Sequence, residues 1–131
     1  MTDASAVESL TRAVARYFDL MYDSDIAGFD RVFRATAQLH GFRDGVMTVW
    51  PAATFKAMLA GRPSPQSLGA PREQEILLLD VASATQALVK VRVRINTAVF
   101  VDYLVYHRID GEWLITAKAY HVERSEVPGR A

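Results

Sequence analysis

Near its end the chain reads Asp102-Tyr103-Leu104-Val105-Tyr106, reaches Asp110-Gly111, and returns as Glu112-Trp113-Leu114-Ile115-Thr116-Ala117-Lys118-Ala119-Tyr120-His121. Aspartate followed by glycine between two alternating runs is a strong signal for a two-residue hairpin turn. A long β-hairpin therefore sets the frame for the rest. With a regular register, Asp102 lies opposite Ala119, Leu104 opposite Ala117, Tyr106 opposite Ile115 and Arg108 opposite Trp113. Period-two alternation then puts Phe100, Asp102, Leu104, Tyr106, Trp113, Ile115, Ala117, Ala119 and His121 on one face. In the preceding strand Val89, Val91, Val93 and Ile95 share a side, and Lys90, Arg92 and Arg94 share the other. An Asn96-Thr97 turn sets Val91 opposite Asp102 and Val93 opposite Phe100. The apolar side thus joins the Asp102 face, which is taken as concave. The small residues Ala117 and Ala119 would leave volume there that a packed core normally fills.

Upstream, Val7, Leu10, Val14, Tyr17, Phe18 and Met21 recur every three or four residues, a single apolar stripe on a helix from about Asp3 to Tyr22. Asp23-Ser24-Asp25 ends it and offers a cap to a shorter helix carrying Ile26, Phe29, Val32 and Phe33. Ala37–Arg43 and Val46–Trp50 flank a second aspartate-glycine pair, Asp44-Gly45. Pro51 suits the first turn of a third helix, with Phe55, Met58 and Leu59 buried and Gly61 at its end. Arg62–Arg72 holds three of the five prolines and reads as a mobile surface loop. Four strands follow, Glu73–Val81, Gln86–Ile95, Ala98–Ile109 and Glu112–Glu123. Their short turns predict an antiparallel meander. Three helices on a curved antiparallel sheet make an α+β protein. We expect one domain over residues 1–123 and a flexible tail over 124–131.

With 15 Lys and Arg against 15 Asp and Glu, the formal charge is zero, which argues against nucleic acid as a partner. There is no cysteine, so disulfides, thiolate nucleophiles and cysteine-ligated zinc are excluded. The three histidines lack metal-site spacing, and no metal or cofactor is expected. No stretch has signal-peptide or membrane-span character, so the expectation is a soluble cytoplasmic protein.

Asp102-Tyr103-Leu104, Gly111-Glu112-Trp113-Leu114-Ile115 and Lys118-Ala119-Tyr120 resemble the nuclear transport factor 2-like superfamily. The likeness is greatest to its SnoaL-like and "putative lumazine-binding" branch. Ala87-Leu88-Val89-Lys90-Val91 and Tyr17-Phe18 add weaker support, and the resemblance spans about Leu10 to Val122. It implies a cone-shaped fold, with the sheet wrapped around the helices to form a pocket, and often a dimer. It also implies either a non-catalytic binding or association module, or an isomerase, cyclase or dehydratase with an acid in the pocket.

Asp102 in apolar surroundings is costly unless paired or functional. It is the candidate proton-transfer group, with His121, its diagonal neighbour, as the second catalytic candidate. A structural aspartate paired with a nearby side chain is the alternative. The expected pocket lining is Tyr17, Phe18, Phe33, Trp50, Val91, Asp102, Leu104, Tyr106, Ala117 and Ala119. The first hairpin supplies no second inward acid, so a two-carboxylate site is not expected. Lys90, Arg92 and Arg94 form a basic ladder on the outer face, beside Tyr103 and Val105. That face is the expected homodimer surface. A small-molecule-binding domain for a hydrophobic ligand is the first reading. An acid–base enzyme on a hydrophobic substrate is the second, and a pure association module with a self-filled cone is the third.

Overall fold

The computed structural model describes residues 4–125. Helix α1 (Ala4–Asp23) opens the fold, and a 3-10 helix (Ile26–Arg31) follows it. Strands β1 (Phe33–Arg43) and β2 (Val46–Pro51) come next, then α2 (Ala52–Ala60). Strands β3 (Gln74–Ser83), β4 (Gln86–Ile95), β5 (Ala98–Ile109) and β6 (Glu112–Ser125) complete it. The six strands form one sheet in the order β2-β1-β6-β5-β4-β3. Every neighbouring pair is antiparallel except β1 and β6, which run parallel. The sheet is thus mixed, because β1 inserts beside the last strand instead of extending the meander.

The stripe on α1 buries as its spacing requires: Leu10, Val14, Tyr17, Phe18 and Met21 are all in the core. They face Val89 and Val91 of β4, Leu104 and Tyr106 of β5, and Trp113 and Ile115 of β6, all buried. The Trp113 indole N–H donates to Ser9 Oγ at 2.9 Å and pins this end of the sheet to α1. Ser24 takes a left-handed conformation (φ 52°) at the end of α1, and the Asp25 carboxylate caps the 3-10 helix by accepting from the Ala27 N–H. The second predicted helix ends at Arg31; Phe33 begins β1, and its buried ring stacks on Phe29 at 5.0 Å.

Both aspartate-glycine turns have the predicted form. Asp44 and Gly45 (φ 51° and 79°) and Asp110 and Gly111 (φ 51° and 81°) are all left-handed, as a twist-matched two-residue hairpin demands. The Arg62–Arg72 segment is irregular, as its prolines dictate, yet it is tied down. Gln66 N–H donates to Tyr22 O at 3.0 Å, the Tyr22 hydroxyl donates to Ala70 O at 3.0 Å, and Arg72 pairs with Asp19 at 2.7 Å. Strand β6 continues to Ser125, past the expected domain limit at residue 123. The rest of the expected tail lies outside the described residues. No helix among the described residues is long and apolar enough to cross a membrane.

The final hairpin departs from regular pairing. Arg108↔Trp113 and Tyr106↔Ile115 pair as expected, but Val105 then pairs with Ala117 and Asp102 with Tyr120. Thr116 is an extra residue, a β-bulge one step beyond Ile115. It inverts the faces of residues 117–122, up to a second irregularity at Glu123. The expectation that Ala117, Ala119 and His121 share the concave face with Asp102 is therefore corrected. They lie on the convex face, and Lys118, Tyr120 and Val122 turn inward instead.

Candidate functional site

The bulge at Thr116 builds the site by carrying a lysine indoors. Lys118 is 5% exposed and Asp102 is 1% exposed, the buried charged residues of the core. Lys118 Nζ lies 3.6 Å from Asp102 Oδ2. The same oxygen accepts a hydrogen bond from the Tyr17 hydroxyl at 2.5 Å. The ammonium also sits over two aromatic rings, 5.1 Å from that of Tyr17 and 5.0 Å from that of Phe55. One helix, two strands and α2 thus converge on a single ion pair.

Burial pushes the Lys118 amine below its ordinary range, with Asp102 opposing that shift and Arg62 adding to it. The Tyr17 phenol is driven well above its ordinary value, first by burial and then by the charge and hydrogen bond of Asp102. Asp102 Oδ1 and the hydroxyls of Tyr106 and Tyr120 are buried without a hydrogen-bond partner. The cluster is therefore only partly satisfied, a costly state in a low-dielectric interior.

A cavity of about 440 Å³ opens beside this cluster, toward the end of the sheet formed by the β1–β2 and β4–β5 turns. Lys118 is on its wall, among Leu39, Trp50, Phe55, Phe100 and Tyr120. Arg43, Asp44 and Arg62 bring charge to the same wall. Tyr120 reaches its place because β1 has glycine there. A Cβ on Gly41 would meet the Tyr120 ring at 2.5 Å and the Tyr120 carbonyl oxygen at 2.6 Å.

Of the ten residues expected to line a pocket, Trp50 borders this cavity. Tyr17, Phe18, Phe33, Val91, Leu104 and Tyr106 are buried core beneath α1. Asp102 points inward as expected but stands behind Lys118, off the cavity wall. Ala117 and Ala119 face the other side of the sheet, and His121 is exposed there, so Asp102 and His121 are not brought together. Sequence reasoning missed Lys118. The signal was the distribution of bulk along β6. Trp113 and Ile115 are large at odd positions, whereas Lys118, Tyr120 and Val122 are large at even ones. A change of parity within one strand is what a bulge produces.

The outer basic ladder is neutralised from within. Arg92 bonds Glu75 and Glu123, Arg94 pairs with Glu73 at 3.4 Å, and Lys90 lies over the Tyr103 ring at 5.5 Å. These ion pairs line a broad groove of about 810 Å³. His107 accepts or donates at Thr116 Oγ1 (2.6 Å), bracing the bulge on the convex side.

The chain resembles known proteins over nearly its whole length. The family model described as "Putative lumazine-binding" matches residues 5–121. The chain belongs to that family. Its fold is shared with an NTF2-like protein of unknown function from Silicibacter pomeroyi DSS-3, at 23% identity and TM-score 0.83, covering 94% of this chain and 100% of that one. An NTF2-like protein of unknown function from Shewanella baltica OS155 matches at 19% identity and TM-score 0.80, covering 95% and 99%. A ketosteroid isomerase-like protein from Erwinia carotovora atroseptica SCRI1043 matches at 12% identity and TM-score 0.72, covering 93% and 99%. No curated protein matches the chain. At these identities the likeness fixes the nuclear transport factor 2-like α+β fold and leaves the chemistry to the site itself.

Proposed function

We propose that this family member binds a small, largely apolar molecule in the cavity walled by Trp50, Phe55, Phe100 and Tyr120, with Lys118 as the polar group at its floor. The observation that carries the reading is Lys118 itself. A buried ammonium held by a single carboxylate is expensive to keep. Placing it on a cavity wall gives it a use, as the polar group that orients a ligand in an otherwise apolar pocket. The third reading, a cone filled by its own side chains, describes the half beneath α1, where Tyr17, Leu104 and Tyr106 close the space. The half beside α2 is the open one.

The test is a thermal-shift screen of small aromatic compounds against the protein and Val122→Trp. Val122 borders the cavity and is 43% exposed, so an indole there fills the space at little cost to folding. A cavity ligand raises the melting temperature of the parent and not of the variant. Compounds that stabilise both equally sit elsewhere and remove the proposal.

An acid–base role is a second reading, favoured by the 2.5 Å bond between Tyr17 and Asp102 and by the weakened basicity of Lys118. In that reading Lys118, at the cavity wall, exchanges the proton, and Asp102 positions it. The proposal includes a homodimer through the convex face. Leu78, Leu88, Tyr103, Val105, Ala117 and Ala119 share that face, the last two carried there by the bulge, and Leu78 and Tyr103 are 49% and 41% exposed. Sedimentation equilibrium reads it directly.

A further inference from the structure

Arg72, Arg92 and Arg94 of the outer groove each have an acid, whereas two arginines of the cavity have none among the described residues. Arg43, Arg62 and Lys118 are its cations, and Asp44 is its acid; Asp102, behind Lys118, is already engaged. Three positive charges against these two carboxylates leave a surplus of one. Lys118 has Asp102, but among the described residues neither Arg43 nor Arg62 forms an ion pair with any acid. Arg62 is half-buried, and its Nε is sealed from solvent with no acceptor. Burial and the nearby Arg43 guanidinium both press against its charge. A guanidinium N–H sealed from solvent without an acceptor is uncommon, because deprotonation cannot silence it.

The wall around these cations is aromatic. The Arg43 guanidinium lies 5.3 Å over the Trp50 ring, which itself meets Phe55 at 6.5 Å and Tyr120 at 6.4 Å. A flat ring can continue that stack, and a carboxylate on it can accept two parallel N–H bonds from Arg62. The surplus of one charge matches a monoanion and would leave a phosphate dianion under-compensated.

We propose that the ligand of this cavity is an aromatic carboxylate, its ring packed against Trp50 and Tyr120 and its carboxylate received by Arg62. The inference rests on the cavity being a binding site and adds the chemical class of what enters it. The test is calorimetry with 2-naphthoate and its neutral isostere 2-naphthamide at neutral pH, on the parent, Arg62→Gln and Arg62→Lys. The naphthoate is expected to bind about tenfold or more tightly than the amide, as a charge-assisted bidentate pair should. Arg62→Gln erases that advantage while leaving the amide's affinity in place, and Arg62→Lys keeps part of it, since the charge remains without the fork. Equal affinity of the two compounds, or a preference that survives Arg62→Gln, overturns the aromatic-carboxylate assignment. So does displacement of the naphthoate by inorganic phosphate at matched concentration, which would make the site a phosphate site. If both naphthalenes fail while other compounds still stabilise the parent and not Val122→Trp, the anion class falls and the binding cavity stands.

Discussion

At the scale of residues, the decisive pair is Asp102 and Lys118, whose two halves are not equivalent. Asp102 has a second partner in Tyr17, whereas Asp102 is the ion-pair partner of Lys118. Removing the acid leaves a buried ammonium uncompensated. Removing the lysine leaves a carboxylate that still accepts from Tyr17. Asp102→Asn should therefore cost about 3–5 kcal/mol, and Lys118→Met, which fills the same volume without charge, distinctly less. The double variant should be more stable than the sum of the single losses predicts, because it removes both charges together. Urea denaturation of the three variants measures this; strict additivity would mean the pair is not coupled. The sequence made Asp102 legible, since an acid flanked by Phe100 and Leu104 on an alternating strand has to point inward. It hid Lys118, because a lysine on a strand is by default solvated and only the register says otherwise.

At the scale of elements, register is set by small features that composition does not announce. The strand limits of β4 and β5 and both aspartate-glycine turns were readable, because alternation and turn chemistry are local. The bulge at Thr116 and the parallel insertion of β1 were not, because both depend on partners distant in sequence. One such partnership is open to test at β1. Gly41 receives the Tyr120 ring so closely that even a methyl group collides with it and with the Tyr120 carbonyl oxygen. Gly41→Ala should destabilise by about 1–3 kcal/mol, the usual cost of overpacking. Adding Tyr120→Ala should recover only part of the loss, since the backbone contact remains. Full recovery in a urea titration would mean that the ring alone demands the glycine.

At the scale of the whole molecule, the helix-covered half of the cone is sealed by phenols that cannot ionise in place, and this gives the fold an alkaline limit. Burial raises both Tyr17 and Tyr106 above their ordinary 10.0, and for Tyr17 the Asp102 charge raises it further. Below pH 10 folded and unfolded chains both keep these protons, and stability does not change on their account. Above pH 10 the unfolded chain releases them and the folded chain does not. The unfolded state is favoured by about 1.4 kcal/mol per pH unit for each phenol. Lys118 acts with the opposite sign. Its folded value lies below the ordinary 10.5, so stability rises with pH between the two values and gains nothing further beyond 10.5. From there to about pH 12 the two tyrosines should dominate among these three groups. The urea midpoint should fall steadily, and Tyr17 and Tyr106 should add their tyrosinate absorbance only as the chain unfolds. Tyr106→Phe should remove about half of that tyrosine contribution. At neutral pH it should cost little, because the hydroxyl it deletes is buried with no partner to lose. An unchanged alkaline slope in that variant would show that the ring of Tyr106 is open to solvent, contrary to its place beneath α1.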